Sequence, residues 1–446
     1  MHEPRQRQLR ATRPSPDSLF RLVDAHLHAR ARQRDRRREP IRPTPNDDRI
    51  THGDTLVGHP NGDTLTGTPY RIELGCPTRV SPNSEPKQPE WFEVFFDLIF
   101  AVAVSFWAER VASEPTIGAY ARGVGYLVPI WWVWLGQTVF ATRFPAGSRT
   151  VQALSIIQVV SVGLMASQLF EYRPESASFP LAFVAARASL LTMYRRAARL
   201  SPEARAVARV YIIGFGTGAA IWAVSALLPA PSRPYAWVLG IAVDFATPWI
   251  GRPTLARVPI DYHHLASRVG VFNSLLLYVA MEGIVRALAH EGLNRTSLAA
   301  ALLAFTLVVG LWWIYAGRVN TADLRTVRGG IAQPYLYSQF LVVLGVGTCS
   351  IGIRALGEGH HEALTLLAAG VFFWIGGLVL IRAVVLRHRD RYWYIPFAAA
   401  LLLVPLLAAA GLPPLITFAL FDAIVLGLLT IELRHGKGHS GPEHHL

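Results

Sequence analysis

Glu93 and Asp97 stand one helical turn apart in WFEVFFDLIFAVAVSFWAER (Trp91–Arg110), an apolar run long enough to cross a bilayer. At 1.5 Å of rise per residue, Asp97 lies about 9 Å along such a helix from Trp91, inside hydrocarbon. A carboxyl at that depth can bind a proton, pair with a cation or hold a transported ion, and facing lipid it costs several kcal/mol. Helical spacing puts Glu93, Phe100, Ala101 and Val104 on the Asp97 face and predicts that this face packs inward, with Phe95, Val102 and Phe106 nearer lipid. Glu93 has a second explanation: it follows Pro89 in the first turn, where a helix N-terminus favours any acid.

Further polar side chains interrupt other apolar runs: Gln158, Arg187, Asp244, Asn273, Glu282, Gln339 and Asp422, with Arg268 at the mouth of one run. Intramembrane ionisable groups face the bundle interior, and Arg187 is expected to neutralise Asp97 or Asp244. No catalytic constellation accompanies them. GxxxxGK[ST], HExxH and GxSxG are absent, and Cys76 and Cys349, the two cysteines, are far apart, so neither a cofactor nor a metal is expected and an enzyme is disfavoured. The adjacent His360, His361 and Glu362 read as a solvated loop, because neighbours on a short loop do not converge on one ion.

The elements that must position these groups follow from composition. The 446-residue chain is 52% hydrophobic and 16% charged, with a mean hydropathy of +0.30, too apolar for a soluble protein of several domains. The net charge of +13 does not indicate nucleic acid, because the arginines sit in an N-terminal tail and in the breaks between apolar runs. Residues 1–87 hold little apolar material and predict a disordered basic tail. A short helix after Ser15-Pro16-Asp17 is an alternative for part of it, and the tandem GDTLVG and GDTLTG reads as paired turns.

From Trp91 onward about twelve apolar runs alternate with short breaks, predicting an all-α integral membrane protein. Basic residues concentrate in alternate breaks, above all Arg195–Arg209 and Arg382–Arg391, which predicts cytoplasmic termini at both ends. The spans fall into two six-span repeats, 88–257 and 258–434, followed by a short tail, 435–446. With a displacement of about 180 residues, IWWVWLG at Ile130–Gly136 matches LWWIYAG at Leu311–Gly317, Gln158 matches Gln339, Asp97 falls opposite Asn273, and Asp244 matches Asp422. An even number of spans per unit makes the repeats parallel, and a polar path between them is expected.

Phe92–Val104, FEVFFDLIFAVAV, resembles the ELFFDLVFV-like segment with which the bacterial low temperature requirement A (LtrA) family enters the membrane. WWVWLGQTVFATRF, GIAVDFATP, HLASRVGVF and LWWIYAG extend the resemblance over most of Trp91–Leu433. This chain departs from that pattern in several places. Ser267 replaces an acid beside Arg268, the LGES acid is displaced from Val279 to Glu282, and Gln339 replaces a histidine. The resemblance implies a multi-pass protein of a bacterial plasma membrane, tied by family name to growth in the cold. A transporter or channel for an ion or small polar solute is the expected function, with a membrane scaffold or stress-adaptation factor as the alternative and a membrane-embedded enzyme third. The expected partners are the bilayer and that solute, and not nucleic acid; the oligomeric state is left open.

Overall fold

The computed structural model describes residues 91–145, 147–171, 176–318, 332–383 and 391–437; the expectations for the N-terminal tail, Cys76 and the last nine residues lie outside them. The described residues form helices and no strand. Twelve of these are long: α1 (Trp91–Ala112), α2 (Ile117–Ala141), α3 (Arg149–Glu171), α4 (Ser178–Ala197), α5 (Pro202–Ser225) and α6 (Arg233–Ile250), then α7 (Tyr262–Glu291), α8 (Arg295–Arg318), α9 (Ala332–Gly357), α10 (Ala363–Ile381), α11 (Arg391–Ala409) and α12 (Pro414–Lys437). Ten are long and apolar enough to cross a membrane. The two that fall short are α4 and α6, which carry Arg187 and Asp244. Many outward side chains of the bundle are large and apolar, for example Phe95, Val160, Leu164, Leu302 and Leu402, as expected where lipid replaces water, and exposed hydroxyls such as those of Thr217 and Thr306 donate to carbonyls of their own helices.

Several helices outrun the apolar stretches that announce them. α7 begins seven residues before Val269, because its first two turns are polar and N-capped by Asp261, whose carboxylate accepts from the backbone N–H groups of His263 and His264, both at 3.0 Å. Arg268 is therefore not at the mouth of this helix but inside its second turn, and 1% exposed. α12 likewise continues through Lys437, past the point at which a tail was expected. The start of α7 is fixed from the side as well: the Asp261 N–H donates to the Thr142 carbonyl at 3.0 Å, and the Arg143 guanidinium donates to the carbonyls of Leu255 (2.7 Å) and Val258.

α2 and α9 are the most internal of the ten apolar helices, with 78% and 83% of their apolar windows buried against 22–56% for the others. α1 packs on α2, α3, α7 and α9, and α9 also packs on α7 and α10. Where helices cross most closely, small residues make the room. Added Cβ atoms at Gly345 and Gly352 on α9 would stand 2.6 Å from the backbone nitrogens of Trp374 and Leu367 on α10. Close backbone approach of this kind drives helix association in lipid, where the hydrophobic effect contributes nothing.

Gly345→Ala is expected to destabilise the protein by about 1–3 kcal/mol through overpacking. Gly376→Ala, at a helical glycine whose added Cβ meets nothing within 4 Å, is expected to be neutral or stabilising by up to about 1 kcal/mol. Thermal unfolding of the two variants in one detergent makes the comparison.

Candidate functional site: a buried ion-pair cluster

The central cluster lies between α1 and α7, which run parallel in matched register. Glu93 meets His264, Asp97 meets Arg268 and, two turns on in each helix from the first pair, Phe100 meets Phe272 edge-on at 6.4 Å. Because the two acids and the two bases are each spaced four residues apart, Glu93 reaches both bases of α7 while Asp97 reaches Arg268. Glu93 lies 3.0 Å from His264 Nε2 and 3.3 Å from Arg268 Nη1, and Asp97 Oδ1 lies 2.8 Å from Arg268 Nη2. The indole N–H of Trp134 on α2 donates to the same Asp97 oxygen at 2.8 Å, and its ring stacks on Phe272 with centroids 4.0 Å apart. All four charged or titratable groups are buried.

Asp97 thus faces the interior, with Glu93, Phe100, Ala101 and Val104 buried beside it, Phe95 and Val102 exposed and Phe106 between the two. Its cation is Arg268 rather than Arg187. Arg187 lies 2.8 Å from Asp244 on α6 instead, with its guanidinium over the rings of Phe183 and Phe215. Glycines shape this second site. A Cβ at Gly136 would stand 2.9 Å from Arg187 Nη1, and Gly214 and Gly218 on α5 leave the space filled by Thr247 and Asp244. Trp132, two residues before Trp134, donates to Asp244 Oδ2 at 3.1 Å and stacks on Phe245.

The remaining polar candidates fall into separate groups. Asn273 donates to the Tyr315 hydroxyl (2.6 Å) and to Gln339 Oε1 (3.1 Å), and Tyr315 donates to the same oxygen. Gln158 donates to Gln137, which donates to Ser155. At the far end of the α1–α7 seam, Glu282 accepts from Ser105, Arg286 (2.8 Å) and Arg354 (3.0 Å), and Arg286 also lies 3.7 Å from Glu109. Asp422 is 4% exposed, and neither of its oxygens has a hydrogen-bond partner among the described residues.

Sequence reasoning missed His264, Trp134 and Arg354 as members of these sites. The signal for His264 was its four-residue spacing to Arg268, which repeats that of Glu93 to Asp97. Trp134 was visible only as an aromatic, since which of three neighbouring indoles meets an acid depends on helix rotation. Arg354, on the last turn of α9, reads as an interfacial cation until α7 is placed beside it.

A bundle of long apolar helices with charged groups paired in its interior defines a polytopic helical membrane protein. The family model for bacterial low temperature requirement A protein (LtrA) matches residues 89–430, and the chain belongs to this family. It is also similar to an uncharacterized protein of Rhizobium meliloti (strain 1021), 24% identical over 355 residues that cover 73% of this chain and 85% of the relative.

Replacing Arg268 by Gln leaves two buried carboxylates without their shared cation and is expected to cost about 3–5 kcal/mol. Adding Glu93→Gln and Asp97→Asn in the same chain is expected to recover more than half of that loss. Arg268→Lys is expected to fall between, since one ammonium does not reproduce a two-pronged guanidinium. Unfolding temperatures in detergent measure all three.

Proposed function

We propose that this protein is a transporter or channel for a cation or small polar solute. The observation that carries the reading is the clustering of ionisable groups in the membrane interior between α1 and α7, where the carboxylates of Glu93 and Asp97 meet the Arg268 guanidinium and the His264 imidazole. Asp422 adds a buried carboxyl neither of whose oxygens has a hydrogen-bond partner among the described residues. Buried carboxyls in a low-dielectric interior favour positive ligands over anions.

We further read the chain as twelve spans in two parallel six-helix repeats, with both termini on the cytoplasmic side of a bacterial plasma membrane. Local structure supports the duplication: Trp134 donates to Asp97 between α1 and α2, and at the corresponding positions Asn273 donates to Tyr315 between α7 and α8. The pairs α1–α2, α1–α3, α3–α4, α4–α5 and α5–α6 all pack, as do α7–α8, α7–α9, α9–α10, α10–α11 and α11–α12. The low hydropathy of α4 and α6 is compatible with spanning, because their charges neutralise each other. A scaffold is the second reading, favoured by the paired Arg187–Asp244 and Glu282–Arg354 groups. Neither reading assigns catalysis to the chain.

Purified protein in liposomes is expected to move protons or monovalent cations down an imposed gradient, followed with a pH-sensitive dye and by tracer uptake. Asp97→Asn and His264→Gln are expected to lower the rate at least tenfold while inserting normally. Silence of the folded wild type across ions and common metabolites favours the scaffold. For orientation, single cysteines at the exposed Glu358 and Arg199, in a background lacking Cys76 and Cys349, are expected to label from outside cells and to be protected, respectively. Gly357 is unsuitable for labelling because it is buried against Ala287.

A further inference from the structure

The turn between α4 and α5 gathers arginines that the buried ion pairs do not use. Arg195, Arg196 and Arg199 stand at the end of α4, and Arg205 and Arg209 lie one turn apart near the start of α5. All five are exposed, and none of their guanidinium groups has an ion pair or hydrogen bond among the described residues. The two helices pack as an antiparallel hairpin whose register is set by Tyr194, stacked on Tyr211 with centroids 4.6 Å apart. That contact brings Arg196 level with Arg209 and Arg199 level with Arg205, to within a residue. Glu203 is the one acid from Arg195 to Arg209, and it lies within electrostatic reach of a further cation, Arg257.

Charge that only orients a span can stay in the loop. Arg209 does not: it lies seven residues past Pro202, about 10 Å along the axis of α5, and still faces outward. Arg205, Arg209 and Ile213 form one exposed stripe, with Ile213 63% exposed. On α4 the exposed stripe that continues from Arg195 consists of small side chains, Thr192, Ala188 and Ala185. The outer face of the hairpin thus has cations at its end and a shallow apolar surface beneath them.

We infer that this face binds an anionic phospholipid, its phosphate held by Arg205 and Arg209 and one acyl chain lying over Ile213 and Ala188. Side chains four residues apart on a helix are neighbours, so two guanidinium forks can reach one phosphate. Arg195, Arg196 and Arg199 add the surplus positive charge that favours an anionic over a zwitterionic headgroup. The inference is independent of the transport reading.

Native mass spectrometry of the full-length protein in neutral detergent, titrated with phosphatidylglycerol or phosphatidylcholine of identical chains, tests it. The wild type is expected to hold the first phosphatidylglycerol more tightly than phosphatidylcholine by about fivefold or more, the ratio that one arginine near a membrane surface supplies. Arg205→Gln and Arg209→Gln in one chain are expected to erase that preference. Arg295→Gln, at an exposed arginine that opens α8 at the other end of the bundle, is expected to leave it intact. Phosphatidylglycerol is expected to raise the unfolding temperature of the wild type, and inorganic phosphate at the same concentration is not. Equal binding of the two lipids, a preference that survives the double substitution, an equal loss in Arg295→Gln, or equal stabilisation by inorganic phosphate each overturns the proposal.

Discussion

The cost of an ionised group in hydrocarbon is the constraint on which this structure depends. Each deeply buried arginine answers to it in a distinct way. Arg268 is shared by two carboxylates, and Arg187 pairs with one carboxylate and two aromatic faces. Both arrangements need helices held in register to within a fraction of a turn, since an ion pair that slips leaves two uncompensated charges. The packing devices follow from this. Asp261 and the Arg143 contacts set where α7 begins, and Gly136, Gly214 and Gly218 clear the volume that Arg187, Thr247 and Asp244 occupy.

The membrane class and the buried face of α1 were legible because they rest on composition and helical period. Glu93, Asp97, Phe100 and Val104 recur at three and four residues, and that spacing alone separates an inner from an outer stripe. The pairing of charges was not legible. Asp97 and Arg268 are 171 residues apart, and no local pattern distinguishes Arg268 from Arg187 as the partner. The choice is made by α1 and α7 lying side by side. The charged first turns of α7 misled in the same way, since hydropathy locates the apolar part of a helix and not its cap.

The two halves use corresponding positions for different chemistry. Where the first half has Asp97 bonded to an indole, the second has Asn273 bonded to a phenol, and Asp244 has an arginine where Asp422 has no hydrogen-bond partner among the described residues. Trp131, Trp132 and Trp134 are all buried, whereas Trp312 and Trp313 are half exposed. Among the described residues Asp97 thus has a neutral counterpart in the second half and Asp244 one without a hydrogen-bond partner, and the seam between α1 and α7 joins unlike surfaces.

Trp132 and Trp134 lie on one rigid helix, yet they reach opposite ways, one to Asp244 and the other to Asp97. With residues two apart about 200° around the axis, turning α2 to lengthen one of these bonds displaces the other. The two acids, on helices far apart in the chain, are therefore geared to a single shaft: a twist of α2 is felt at both ion pairs at once, and neither can change its surroundings in isolation.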